Sequence, residues 1–235
     1  MKNIFSVFTL IFLVFSASAA SQIPTPSNDF QIWNEISVAF PIIKAKDKNN
    51  KEFDRLTFSL NGVLRFGDKI SRLVDKRIGF GFGYRLNKYI SFAPDYLYRG
   101  NKPSRGVKQY EHRLRFALAL ENKWRRFSLI DRNQIEYRIR HSRKDSVRYK
   151  NRLRFEYPLK KSKKEIFTPF VSNEPFYDFS EKKLTRNELF AGINKKFNNG
   201  FSADFYYLFV KDRGFPKIVN GVGINLRFKS NWFIP

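Results

Sequence analysis

Hydrophobic and polar residues alternate along most of this chain. In Tyr149–Tyr157 the side chains of Leu153, Phe155 and Tyr157 fall on one side, with Lys150, Arg152, Arg154 and Glu156 on the other. Successive side chains of an extended strand point to opposite faces, so the segment is a strand with one oily and one charged face. The same period recurs in Arg55–Phe66, where Leu56, Phe58, Leu60, Leu64 and Phe66 oppose Arg55, Thr57, Ser59, Asn61 and Arg65. It recurs in Ile78–Leu86, Tyr110–Leu120, Phe127–Arg140 and Val219–Phe228. Ile32–Phe40, Ile90–Arg99, Phe167–Phe179, Arg186–Phe197 and Phe201–Lys211 complete the set, with Asn198-Asn199-Gly200 as a hairpin turn.

Strands of roughly nine residues or more are long enough to cross a bilayer at a tilt. The pattern predicts an all-β fold, a single antiparallel transmembrane β-barrel of 10–12 strands with oily faces outward and charged faces lining the interior. Such barrels have even strand counts, so ten or twelve is expected, with the miscount in Asp29–Pro41 or Gly67–Arg77. Strict alternation through Phe127–Ile139 would turn Asp131 and Asn133 toward lipid, which predicts a β-bulge near Ile130–Asn133. Short connections are expected to alternate with long ones.

The inward faces predict a network. Pairing Phe127–Arg140 with Tyr149–Tyr157 sets Glu136 opposite Arg152 or Arg154, and the preceding hairpin brings Arg113 near Glu136 and Glu111 near Arg138. The interior is then a ladder of alternating charge: Glu111, Arg113, Arg115, Glu136, Arg138, Arg152, Arg154 and Glu156, with Glu174 beside it. Two readings follow. Paired ions brace a nearly closed lumen, or a basic constriction prefers anions.

Composition sharpens the choice. Of 235 residues 17% are aromatic, which suits a lipid-facing wall. The formal net charge of +24 points to an anionic partner, either membrane phosphates or nucleic acid. Cysteine is absent, which excludes disulfides and thiolate chemistry. At the N-terminus, Lys2, the apolar run Ile4–Phe15 and Ala17-Ser18-Ala19 read as a signal peptide over 1–19, cleaved after Ala19. Residues 20–28 read as a linker and 29–235 as the barrel domain, placed in the outer membrane.

Catalytic chemistry finds little support. Gly79, Gly81 and Gly83 have a strand period and lack the spacing of a dinucleotide loop. His112 faces outward near a strand end with no matching serine or aspartate, and His141 with Asp145 share one polar loop. No catalytic or metal site and no cofactor is expected. The expected partners are outer-membrane lipid and the barrel-assembly machinery, with no nucleic acid and the oligomeric state open. The alternatives are a soluble basic nucleic-acid-binding β-domain, or a barrel enzyme acting on lipid or peptide.

Arg138-Ile139-Arg140, the run Arg148–Pro158, Asn173-Glu174-Pro175-Phe176-Tyr177, Leu189–Ile193, Tyr206-Tyr207-Leu208 and Gly223–Phe228 carry a resemblance. The chain is similar over nearly its whole mature length to an uncharacterised family of Gram-negative exported proteins. That family bears a domain-of-unknown-function label and is grouped with outer-membrane β-barrels. The resemblance implies a fold and a location, and no activity. Glu188 departs from it, where relatives often have Arg, and so does the ending Phe233-Ile234-Pro235.

Overall fold

The computed structural model describes residues 28–230 apart from 48, 49, 51, 103–107, 142, 163 and 215. The signal-peptide expectation and the ending after Phe233 therefore lie outside the described residues, as does the linker except Asn28, which opens the first strand.

The strands are β1 (Asn28–Lys46), β2 (Glu52–Gly67), β3 (Arg72–Arg85), β4 (Ile90–Asn101), β5 (Gln109–Lys123), β6 (Ser128–Arg140), β7 (Ser146–Glu156), β8 (Leu159–Lys161), β9 (Lys164–Asp178), β10 (Lys183–Lys196), β11 (Phe201–Asp212) and β12 (Ile218–Lys229). The three-residue β8 pairs only with the start of β9. The other eleven form one closed wall, each beside its neighbour in sequence, with β7 beside β9 and β12 returning to β1. The expectation of ten or twelve strands is thus corrected to eleven. Neighbours joined by a turn run antiparallel, so an odd number forces one parallel seam at closure. That seam is β1–β12, in register from Asn28↔Ile218 to Ala39↔Lys229. The barrel is therefore not wholly antiparallel. Evenness follows only when closure must also be antiparallel, and here it is not.

One rim carries the start of β1 and the connections 68–71, 102–108, 141–145, 179–182 and 213–217; the other carries 47–51, 86–89, 124–127, 157–163 and 197–200. All are short, so the expected alternation of long and short connections is absent. At 68–71 the turn takes three successive left-handed residues: Asp68 (φ 56°), Lys69 (φ 56°) and Ile70 (φ 69°). The Asp29 carboxylate holds it by accepting the Asp68 and Lys69 amides at 3.0 and 2.9 Å. A β-branched residue is poorly suited to this conformation, at a cost of about 1–2 kcal/mol. Ile70→Gly is expected to raise the urea midpoint of the folded protein. An unchanged or lower midpoint would show that the turn carries no strain.

Outward side chains are apolar across the middle of the wall. Ile78 is 67% exposed, Leu114 and Phe116 each 53% and Ile135 52%. Phe80, Phe155 and Val222 face the same way. Aromatic rings border this band. Trp124–Phe127, Phe127–Phe155, Phe197–Phe201 and Phe201–Phe228 stack or tilt together near the second rim. Tyr98 stacks on Tyr110 near the first, where the Tyr96 hydroxyl lies 2.6 Å from His112 Nδ1.

No bulge forms at Ile130–Asn133. The β5–β6 and β6–β7 registers run unbroken, and Asp131 and Asn133 stay on the outer face. Asn151 lies directly across from Asn133, so the polar groups satisfy one another instead of breaking the ladder. Asn151 Nδ2 donates to Asp131 Oδ1 at 2.5 Å and to Asn133 Oδ1 at 3.0 Å, and the Tyr149 hydroxyl also donates to Asn133 Oδ1. Where β3 passes β4, a Cβ on Gly81 would lie 2.7 Å from the Pro94 carbonyl oxygen, so this glycine permits a close approach of the two backbones.

Candidate functional site

The interior has two unlike halves. From β1 and β9–β12 come Trp33, Phe170, Phe190, Tyr206, Leu208, Val210 and Val219, a buried apolar block filling one side. Around Phe170, Phe190, Leu208 and Val210 these strands are apolar on both faces, although Glu174, Glu188 and Asp204 share the inward side with them. The single-sided alternation expected of every strand therefore fails over this part of the wall. Most of the ions come from β2–β7, with Glu174, Arg186, Glu188 and Asp204 added from β9, β10 and β11. Guanidinium groups lie across onto the aromatic block: Arg65 is 3.3 Å from the centroid of Trp33, Arg154 3.7 Å from that of Phe170 and Arg152 5.5 Å from that of Phe190. Such contacts let a cation rest against an apolar surface.

Three carboxylates organise the charged half, and none is more than 1% exposed. Glu111 accepts from Arg113 at 2.6 Å and Arg138 at 2.8 Å. Glu136 takes Arg148 at 2.5 Å and Lys150 at 3.0 Å, with Arg113 at 3.8 Å. Glu174 takes Arg152 at 2.6 Å, Arg132 at 3.3 Å and Lys150 at 3.7 Å. Below them Arg115 pairs with Asp95, while Arg154 bridges Glu156 at 2.8 Å and Asp204 at 3.0 Å. All nine residues expected in the interior network are inside the barrel.

Their register is not the expected one. Glu136 stands opposite Arg148 because β7 begins at Ser146, earlier than the sequence suggested, and Arg152 stands opposite Arg132. Nor does charge alternate across the ladder. Arg113 faces Arg138, Arg132 faces Arg152, and Glu174 faces Glu188. Some opposite charges do meet across the ladder, as Glu136 with Arg148 and Arg115 with Asp95, and others along the same strand two residues apart, as in Arg113–Glu111, Arg154–Glu156, Arg186–Glu188 and Arg77–Asp75. Same-face neighbours on a strand are about 7 Å apart, and an arginine side chain spans that distance.

The expected network left out Arg132 and Arg148, which share the parity of Arg152, and also Lys150, although the alternation already placed Lys150 on the charged face. It also missed the cluster at Asp75, which holds Arg77 at 2.8 Å and Arg99 at 2.6 Å. Asp75 depends on a register shift in the β2–β3 ladder: Arg65 pairs with Asp75 but Phe66 with Leu73, leaving Val74 as the extra residue. Both Val74 and Asp75 are buried.

Between the ions and the small inward residues of β2–β5 is a cavity of about 920 Å³. It extends from Arg143, Glu181 and Arg213 at the first rim down to Ser37, Ser59 and Ala119. Its lining contains fifteen Lys and Arg against eight Asp and Glu. Among the described residues no three His, Asp or Glu side chains are grouped so as to hold a metal ion.

A profile of the family described as Protein of unknown function (DUF2490) matches residues 30–215. No curated protein matches the chain. Among solved structures, the beta domain of the Bordetella autotransporter Brka is similar at 10% identity, covering 84% of this chain and 95% of that one, with a TM-score of 0.39.

Proposed function

This chain belongs to the DUF2490 family, and we propose that it is an integral outer-membrane β-barrel whose ion-lined lumen favours small anions. The observation that carries this reading is the inverted wall. A belt of Leu, Ile and Phe side chains faces outward between aromatic rims, while the buried carboxylates and most arginines are inside. In water that belt would be an exposed apolar surface encircling the molecule; against acyl chains it is the solvated face. Asp131 and Asn133 fit because their polar atoms are satisfied within the wall.

The lumen supplies the rest. An excess of cations over acids around the cavity gives it a positive potential, which draws anions and repels cations. The ion pairs brace the wall at the same time, so the two roles share one set of residues. The signal peptide over residues 1–19 and insertion by the barrel-assembly machinery belong to this proposal.

The test is direct. The mature chain is expected to need detergent for solubility and to migrate differently on gels before and after boiling. In planar bilayers under a potassium chloride gradient its reversal potential is expected to take the sign of chloride preference. A detergent-free soluble monomer would end the membrane reading, and cation preference would end the lumen reading.

A further inference from the structure

We propose that the lumen holds a specific oxyanion site at Arg132 and Arg152, for a phosphate or carboxylate group. The proposal rests on the lumen being open to solutes, as the reading above requires. The other cations of the ladder are less open: Arg113 has 3% of its side chain exposed, Lys150 9% and Arg115 16%, each against a carboxylate. Arg132 and Arg152 remain 35% and 32% exposed and border the cavity.

Arg132 is also short of counter-charge. The two guanidiniums face each other across the β6–β7 ladder, an arrangement that repels unless an anion lies between them. Glu174 is the carboxylate that bridges them, and Arg152 takes it with two N–H groups, at 3.1 and 2.6 Å. Arg132 has a single contact to it, Nη2 at 3.3 Å, and its Nε is enclosed with no acceptor. A guanidinium offers five N–H donors in a planar fork suited to two oxygens of one anion. Room for that anion exists because the inward residues on β2, β4 and β5 here are Ser59, Ser91, Ala93, Ala117 and Ala119.

The acids around this space are accounted for. Asp95 is engaged by Arg115 and Glu188 by Arg186. Glu35 lines the cavity within electrostatic reach of both guanidiniums, with no salt bridge among the described residues. It therefore opposes an incoming anion and sets how tightly one is held.

The test is calorimetric titration of the purified mature chain in detergent, at fixed ionic strength, with inorganic phosphate in one arm and acetate in the other. Saturable binding is expected. Arg132→Gln should weaken it by about tenfold or more through loss of a charge-assisted contact. Glu35→Gln should tighten it, and Lys123→Gln on the second rim should leave it unchanged. Phosphate alone, or acetate alone, identifies the group the site takes. Absence of saturable heat in both arms, or an Arg132→Gln protein that binds like the parent, overturns the site. The pore reading fails separately. Anion-selective current without saturable binding removes the site and keeps the pore, whereas saturable binding without current does the reverse.

Discussion

Glu136→Gln is expected to be the most damaging single replacement in the chain, while Glu121→Gln on the second rim is expected to be nearly silent. Glu136 is completely buried and sits against Arg148, Lys150 and Arg113. Glutamine is nearly the same size but removes the charge, leaving Arg148 without a salt-bridge partner among the described residues and Arg113 and Lys150 with only Glu111 and Glu174. Removing one partner of a buried pair costs about 3–5 kcal/mol, because the remaining charge is desolvated without compensation. That is a large part of the roughly 5–15 kcal/mol by which a domain is stable. Glu121 pairs with Lys123, whose side chain is 71% exposed, where water screens the interaction. Urea unfolding of both variants in the same detergent checks the contrast. Equal midpoints would mean that the interior ions contribute nothing to holding the wall together.

Phe116→Arg should be the next most costly change, and only in a bilayer. Phe116 lies on the outer face of β5 between Pro94 of β4 and Ile135 of β6, and is half exposed. In a water-soluble protein, an arginine at such a position would change stability by no more than about 0.5 kcal/mol. On the lipid face near the middle of a membrane it costs about 2–4 kcal/mol. The measurement is denaturant unfolding from phospholipid vesicles, with Lys123→Gln as the rim control. A Phe116→Arg protein as stable as the parent would remove the outer face from contact with lipid.

The wall was legible because period-two alternation fixes which face each side chain takes. Phe80, Leu114, Phe116 and Phe155 face outward as their parity requires, and Arg152, Arg154 and Glu174 inward. Register was less legible, because it depends on where a turn closes. Ser146, Val147 and Arg148 extend β7, so Glu136 stands opposite Arg148 and not Arg152 or Arg154. The apolar block was hidden for another reason. Where Phe170, Phe190, Leu208 and Val210 alternate with other apolar residues, the pattern does not say which set faces the lumen. Asp75 was hidden by the extra residue at Val74, which leaves no compositional mark. The strand count was read as even from a general rule, although the eleven segments were visible as eleven.

Eleven also separates the two ends of the wall. A chain that crosses an odd number of times leaves from the compartment opposite to the one it entered from. With β1 parallel to β12, Asn28 and Lys229 stand at opposite rims, and would meet different aqueous spaces once a membrane surrounds the wall. Tags joined at these two ends are then expected to be reached by a membrane-impermeant label from opposite sides of the barrier.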